Sequence, residues 1–220
     1  EEAAPRLFTL SDFAKLFVNK PTLFPPGKGR QYSNAGYIVL GLIVEKVSGQ
    51  SYHDYVRDHV FAPAGMISSG PSARGVSAGD LAVGYTRGAE GAASGGGAGA
   101  LHPNTQTLPA RSSSAGGGLS TVEDLLAFEE ALRTGKLLPP AWTAWAYSDK
   151  TSPPSDGDRI PKDANLGIAG GSPGVNAVLE ADAGRDFTIV VLANLDPPIA
   201  ERTATKIRKW IERIAGSSTQ

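Results

Sequence analysis

The sequence predicts an α+β fold: a mostly helical region over residues 1–150, followed over residues 151–220 by antiparallel strands packed under a C-terminal helix. Three observations predict it. Apolar residues recur at helical spacing through most of the first part. After residue 150 they switch to alternation around a tight turn, which is the strand signature. The chain then closes with a strongly amphipathic segment. Helices and strands segregate rather than alternate, and that separates α+β from α/β architectures.

Composition sets the bounds. A chain of 220 residues makes one large domain or two small ones, and 40% apolar content supports a real core. A net charge of −1 offers no electrostatic case for nucleic acid or an anionic membrane surface. The longest apolar run, FTIVVLANL at 187–195, is too short to span a bilayer. There is no cysteine, which excludes disulfides and thiolate chemistry. The opening EEAAPRLF lacks the basic-then-apolar layout of a signal peptide, so the chain is either cytoplasmic or a periplasmic or secreted protein with an earlier segment removed.

The elements follow in order. A first helix is expected over 11–19, capped by Ser11 or Thr9, with Phe13, Leu16 and Phe17 on one side. A second runs over 34–48, with Ser33 or Asn34 as cap. Tyr37, Ile38, Leu40, Ile43, Val44 and Val47 form its stripe, and Gly49 is its left-handed stop. A third starts at Ser51, turns Tyr52, Tyr55, Val56 and Val60 inward, and breaks at Pro63 and Gly65. Residues 68–118 are rich in Gly, Ser and Ala and read as a long surface excursion, ordered only around 81–88. Such excursions often wall a binding site. Order returns with a helix whose capping box is Ser120 and Glu123, whose stripe is Leu125, Leu126, Phe128 and Leu132, and whose stop is Gly135. A short helix carrying Trp142 and Trp145 follows Pro139-Pro140, with both indoles read as core.

In the last part, residues 174–182 alternate, with Val175, Ala177, Leu179 and Ala181 inward. A turn at Ala183-Gly184-Arg185 leads into the buried strand 186–195. Pro197-Pro198 then start a helix with Ile199, Thr203, Ile207, Trp210, Ile211 and Ile214 on one face.

Two stretches can carry chemistry. In GKGRQYSNAGY, Tyr32 and Asn34 stand two apart at the start of the second helix. This is either ordinary capping with an anchoring aromatic, or two arms of an active site. In LGIAGGSPGVNA (166–177), Gly170 and Gly171 precede Ser172 and a Pro-Gly turn. This is either a plain strand connection, or an edge strand that lends a backbone N–H to an oxyanion. Other candidates are bland. His53, His59 and His102 lack metal-ligand spacing, so no metal or cofactor is expected. Glu45, Asp54 and Asp58 read as solvated helix faces, and Ser112, Ser113 and Ser114 as loop filler.

Taken in order, FPPGKGRQYSNAGYIVLGLIVEKVSGQSY, APAGM, AGGGLSTVEDLLAF, GIAGGSPGVNA and VVLANLDPP resemble the serine β-lactamase and penicillin-binding-protein superfamily. The likeness is closest to its class C-like branch of esterases, D-aminopeptidases and DD-carboxypeptidases. The resemblance implies a helical domain beside an antiparallel sheet, with the site in the cleft between them. It implies that Tyr32 and Asn34 are the family's Tyr-x-Asn pair: the Tyr a proton shuttle for a nucleophilic Ser, the Asn a holder of the substrate amide. It also implies that Gly170, Gly171 and Ser172 bind substrate, with the Gly171 N–H as one half of an oxyanion hole.

The departures are as informative. No Ser-x-x-Lys occurs; Ser11 and Lys15 are four apart, and the one near match, 203–206, begins with Thr. Ile168 stands where the family has Lys or His, and Ala169 replaces the adjoining hydroxyl. The expectation is the C-terminal portion of a serine hydrolase acting through an acyl-enzyme on an ester, amide or β-lactam-like substrate, and inactive as this isolated chain. The alternative is a non-catalytic descendant that binds a ligand or partner. Surface left open by a missing N-terminal part would favour self-association.

Overall fold

The computed structural model describes residues 7–72, 80–88, 99–105, 110–148 and 153–217. The expected division near residue 150 and the most Gly-rich parts of the 68–118 excursion lie outside them.

The helical part is built on local caps. Helix α1 (Leu10–Ala14) is shorter than expected and continues as hydrogen-bonded turns to Lys20. Its cap is Thr9, in a reciprocal box with Asp12. Helix α2 (Asn34–Ser48) is capped by Ser33, whose Oγ accepts the Gly36 N–H, and it stops at left-handed Gly49. Its expected stripe is not the buried one. Only Ile38 and Gly41 are buried, while Leu40, Ile43 and Val47 are exposed. Gly41 is the point where another segment crosses the helix. A Cβ there would sit 2.6 Å from Leu10 Cδ1 and 2.6 Å from Ser114 Cβ. Ser114 is therefore not filler: its Oγ–H donates to the Tyr37 carbonyl at 2.8 Å.

Helix α3 (Tyr52–Val56) begins at Ser51 and runs through a π-helical turn (Arg57–Phe61) into the short α4 (Ala62–Ala64). Pro63 has no N–H to donate, and the preceding turn widens so that Ala62 N–H reaches the Arg57 carbonyl. Glu45, expected on a solvated face, is half-buried and accepts the Tyr52 N–H at 2.9 Å, joining α2 to α3.

The excursion is tied down by two short ladders. Strand β1 (Gly70–Pro71) pairs with β4 (Gly118–Leu119), and β2 (Tyr85–Thr86) pairs with β3 (His102–Pro103). Helix α5 (Val122–Arg133) starts one residue later than the sequence suggests. Its cap is Thr121, whose side chain accepts the Asp124 N–H, and not Ser120 with Glu123. Ser120 instead contacts Ser69, and the buried Asp124 carboxylate accepts the Ser68 N–H and the Ser69 hydroxyl. In α6 (Pro140–Ala146) the buried residues are Thr143 and Ala144, while Trp142 is exposed with its ring edge-on to Trp145.

Strands β5 (Asn165–Ser172), β6 (Val175–Asp182) and β7 (Phe187–Ala193) form an antiparallel meander in the order β5-β6-β7. The 166–172 segment thus becomes an edge strand. Both faces of the sheet are covered. Leu166, Leu179 and Ala181 pack with Leu132 of α5 and Tyr147. Val178 and Ile189 pack under α7 (Ile199–Ser217) through Ala200 and Ala204. Past its first residue the central strand therefore has no solvent face, so Asn176 and Val178 are buried although the alternation assigned them outward; Val175, at its exposed start beside the turn, was assigned inward. The inward stripe of α7 is Ala200, Ala204, Ile207 and Ile211; Trp210 and Ile214 face out. The two alanines let the helix backbone lie close to the sheet.

Candidate active site

The Tyr-x-Asn segment sits where backbone conformation changes from extended to helical. Ser33, with φ of −150°, is the last extended residue and supplies the cap, so the side chains on either side of it are free of that task. Asn34 is the first helical residue and is exposed. Tyr32 is 72% exposed, and its ring rests against Tyr37 at a centroid distance of 5.5 Å. The cap is Ser33, as the capping alternative expects, and neither Tyr32 nor Asn34 is consumed by a structural hydrogen bond among the described residues.

The glycine segment lies at the far end of the edge strand β5. Its two glycines are not equivalent. A Cβ added to Gly170 would meet nothing within 4 Å, whereas one added to Gly171 would overlap Pro197 Cγ and lie 3.2 Å from Asn176 Nδ2 and from the Val175 carbonyl. Ser172 is exposed and pairs in register with Val175. Ile168, on the same strand, is also exposed.

A strap from the excursion clasps this end of the sheet. Tyr85 N–H donates to the Asn194 carbonyl at 2.9 Å, and Asn104 Nδ2 donates to the Pro173 carbonyl at 2.9 Å. Asp196 accepts the N–H of Gly174 and the N–H of Arg87, each at 2.8 Å. Packing is close enough that a Cβ on Gly174, which has φ of +74°, would lie 2.9 Å from Tyr85 N and from Asn104 Cβ. The excursion therefore walls the β5–β6 turn, next to Ser172.

No hydrogen bond among the described residues joins Tyr32 or Asn34 directly to residues 170–172. The connection is through the frame: Ser114 on α2, the β1–β4 ladder leading into α5, and α5 on the sheet. At that last joint Glu129 of α5 is buried and accepts the Tyr147 hydroxyl at 2.7 Å and the Thr188 hydroxyl at 3.2 Å. Burial and then the hydrogen bond to Glu129 raise the Tyr147 phenol above its ordinary range. A cavity of about 580 Å³ opens beside this cluster, lined by Arg133, Lys162 and Asp182 among others, and by none of the candidate residues. Burial and the nearby Arg111 push the His53 imidazole down, against the opposing pull of the Ser112 backbone, Glu45 and Asp54. Among the described residues no group of His, Asp and Glu could hold a metal ion. No helix there is long and apolar enough to cross a membrane.

Sequence reasoning did not single out Asn176 and Asp196, which organise the glycine segment and the strap. Each did carry a signal: a carboxamide between the apolar Val175 and Ala177, and an acid immediately before Pro197-Pro198.

Helices packed beside an antiparallel sheet are the arrangement this chain shares with penicillin-binding-protein structures. The chain belongs to the Beta-lactamase family, whose model matches residues 1–212. It is similar to the penicillin binding protein from Bacillus halodurans, with a TM-score of 0.78 and 29% identity, covering 97% of this chain and 66% of that one. It shares the fold of the D-amino acid amidase from Ochrobactrum anthropi SV3, with a TM-score of 0.72 at 21% identity over 99% of this chain and 66% of the amidase. Penicillin-binding protein 4* of Bacillus subtilis (strain 168) is 51% identical over 43 residues, which are 20% of this chain and 10% of that protein. The chain covers 66% of each of these two solved structures and as little as 44% of others it resembles.

Proposed function

We propose that this chain is the C-terminal portion of a β-lactamase-like serine hydrolase that cleaves ester or amide bonds through an acyl-enzyme. The observation that carries the reading is the match to the Beta-lactamase family over residues 1–212, with Tyr32 and Asn34 at the head of α2. In this reading Tyr32 moves the proton of the nucleophile, Asn34 holds the substrate amide, and Gly170, Gly171 and Ser172 line the acyl oxygen and flanking chain. The exposure of Tyr32 and Asn34 leaves both open to a reacting group. These 220 residues contain no Ser-x-x-Lys, so the reading requires the nucleophile and its Lys from polypeptide outside them. With Ile168 in place of a cation, the substrate is an ester or amide without a carboxylate at that position, in preference to a β-lactam.

Two measurements test this. Intact mass and N-terminal sequencing of the natural protein are expected to place a Ser-x-x-Lys segment ahead of Glu1. The 220-residue chain incubated with p-nitrophenyl acetate or a chromogenic cephalosporin is expected to remain unacylated. Stoichiometric acylation of a serine within it would refute the assignment. The exposed apolar residues Leu40, Ile43 and Val47 of α2 also support self-association of the isolated chain. Sedimentation velocity giving a monomer at every concentration would refute that.

A further inference from the structure

We propose that Asn176 is a positioning residue that, together with the β5–β6 ladder, sets the orientation of the 170–171 peptide; the inference rests on the reading of that peptide as an oxyanion donor. Asn176 is 1% exposed, near the start of β6 on the face turned toward α7. Its carboxamide is fully engaged. Nδ2 donates to the Gly170 carbonyl at 3.0 Å and to Glu201 Oε1 at 3.2 Å, and Oδ1 accepts the Ala200 N–H at 2.7 Å. One side chain thus ties the edge strand to the first turn of α7.

The geometry follows from the planarity of the peptide. The Gly170 carbonyl and the Gly171 N–H belong to one trans peptide unit and point in opposite directions. Holding the carbonyl on Asn176 turns the Gly171 N–H away from Asn176 and from the body of the sheet. Pro197 packs against Gly171 on the same face as Asn176 and limits movement toward that face. Rotation of the peptide would break both its pairing with Ala177 in the ladder and the bond to Asn176, so the donor is oriented before any ligand arrives, and such preorganisation is what an oxyanion site requires.

Glu201 makes the arrangement selective for Asn. Its Oε1 takes the Asn176 donor, while its Oε2 is buried and accepts no hydrogen bond among the described residues. An Asp at 176 would keep the Ala200 bond but would face both the Gly170 carbonyl and the Glu201 carboxylate with acceptors only. Asn176→Asp therefore breaks the link to the peptide and destabilises the fold together. The pair Asn176→Asp with Glu201→Gln separates the two effects. The new Gln amide donates to the Asp carboxylate and restores the α7 junction, but no side chain donates to the Gly170 carbonyl, which keeps only its ladder partner Ala177.

The experiment uses the ¹⁵N-labelled 220-residue chain and, in parallel, the natural polypeptide. In the single variant the Gly171 and Ala200 amide resonances are expected to move and the Tm to fall. In the double variant the Tm and the Ala200 resonance return toward wild type while the Gly171 resonance stays displaced. In the natural polypeptide the double variant lowers kcat for p-nitrophenyl acetate by roughly tenfold to a hundredfold, with KM changed less than about twofold. A Gly171 resonance that stays at its wild-type position in the single variant, or returns together with the Tm in the double one, overturns the proposal by showing a purely structural role. So does a wild-type kcat in the double variant. A displaced Gly171 resonance in a natural polypeptide with no turnover supports the peptide orientation and refutes the hydrolase reading instead.

Discussion

Consider alanine placed at each of the two adjacent glycines of β5. Neither has positive φ, so the comparison is one of space and not of backbone conformation. At Gly171 the new methyl would overlap Pro197 Cγ and press on Asn176 Nδ2 and the Val175 carbonyl at 3.2 Å. Carbon atoms pack at ~3.5–4.0 Å, so the strand or the proline has to give by about an ångström. Pro197 leads directly into α7, and the β5–β6 ladder holds the strand, so neither moves freely. Overpacking of this kind costs ~1–3 kcal/mol. At ~2–4 °C per kcal/mol for a chain of this size, Gly171→Ala should lower the Tm by roughly 2–12 °C. At Gly170 the methyl meets nothing within 4 Å, and the lower entropy of the unfolded chain should leave stability unchanged or raised by up to ~1 kcal/mol. Urea unfolding of both variants, read by far-UV circular dichroism, makes the comparison. Equal losses at the two positions, or a Gly171→Ala variant within about 0.5 kcal/mol of wild type, would refute the packing argument.

The reassigned cap of α5 predicts that Thr121→Ala costs ~0.5–2 kcal/mol in urea unfolding, whereas Glu123→Ala stays within about 0.5 kcal/mol; the reverse order would restore the Ser120–Glu123 box. Tyr147→Phe removes the donor to buried Glu129 and is expected to cost ~1–3 kcal/mol. Because the folded-state phenol titrates above its ordinary value, wild-type stability is full below pH ~10 and is lost as pH rises beyond it, and the Phe variant should lack that component. His53 has the opposite sign: its depressed folded-state value means its contribution is full above pH ~6.5 and is lost as pH falls through the folded value, so His53→Gln should flatten that limb of a stability–pH curve. Asp196→Ala releases both the β5–β6 turn and the strap. Hydrogen exchange should quicken at Arg87 and Gly174 while Leu179 stays protected; unchanged protection at both would show that the strap holds without it.

Some of the site was legible because its causes are local. Ser33 caps α2 through its own hydroxyl and a neighbouring N–H, and this placement of Tyr32 and Asn34 needs nothing from the rest of the chain. Gly49 and Gly65 end their helices through their own left-handed conformations. Other readings failed where two local patterns were equally good. Helix α7 offers two apolar stripes at helical spacing, and the smaller Ala200 and Ala204, not Trp210, face the sheet because they allow close approach. Thr121 and Ser120 are equally able to cap, and the contact of Asp124 with residues 68 and 69 accompanies the later start.

What the sequence determined by itself is the order of helices and strands, the family, and the residue types at the head of α2 and along β5, since each depends on spacing over a few positions. Tertiary structure alone decided which of two adjacent glycines has no room for a side chain, that both faces of β6 are covered, and that a carboxamide at 176 spans from the edge strand to the last helix. Those relations join residues as far apart in the chain as Leu132 of α5 and Leu179 of β6. They come from close packing and hydrogen-bond satisfaction in three dimensions, which linear spacing does not encode.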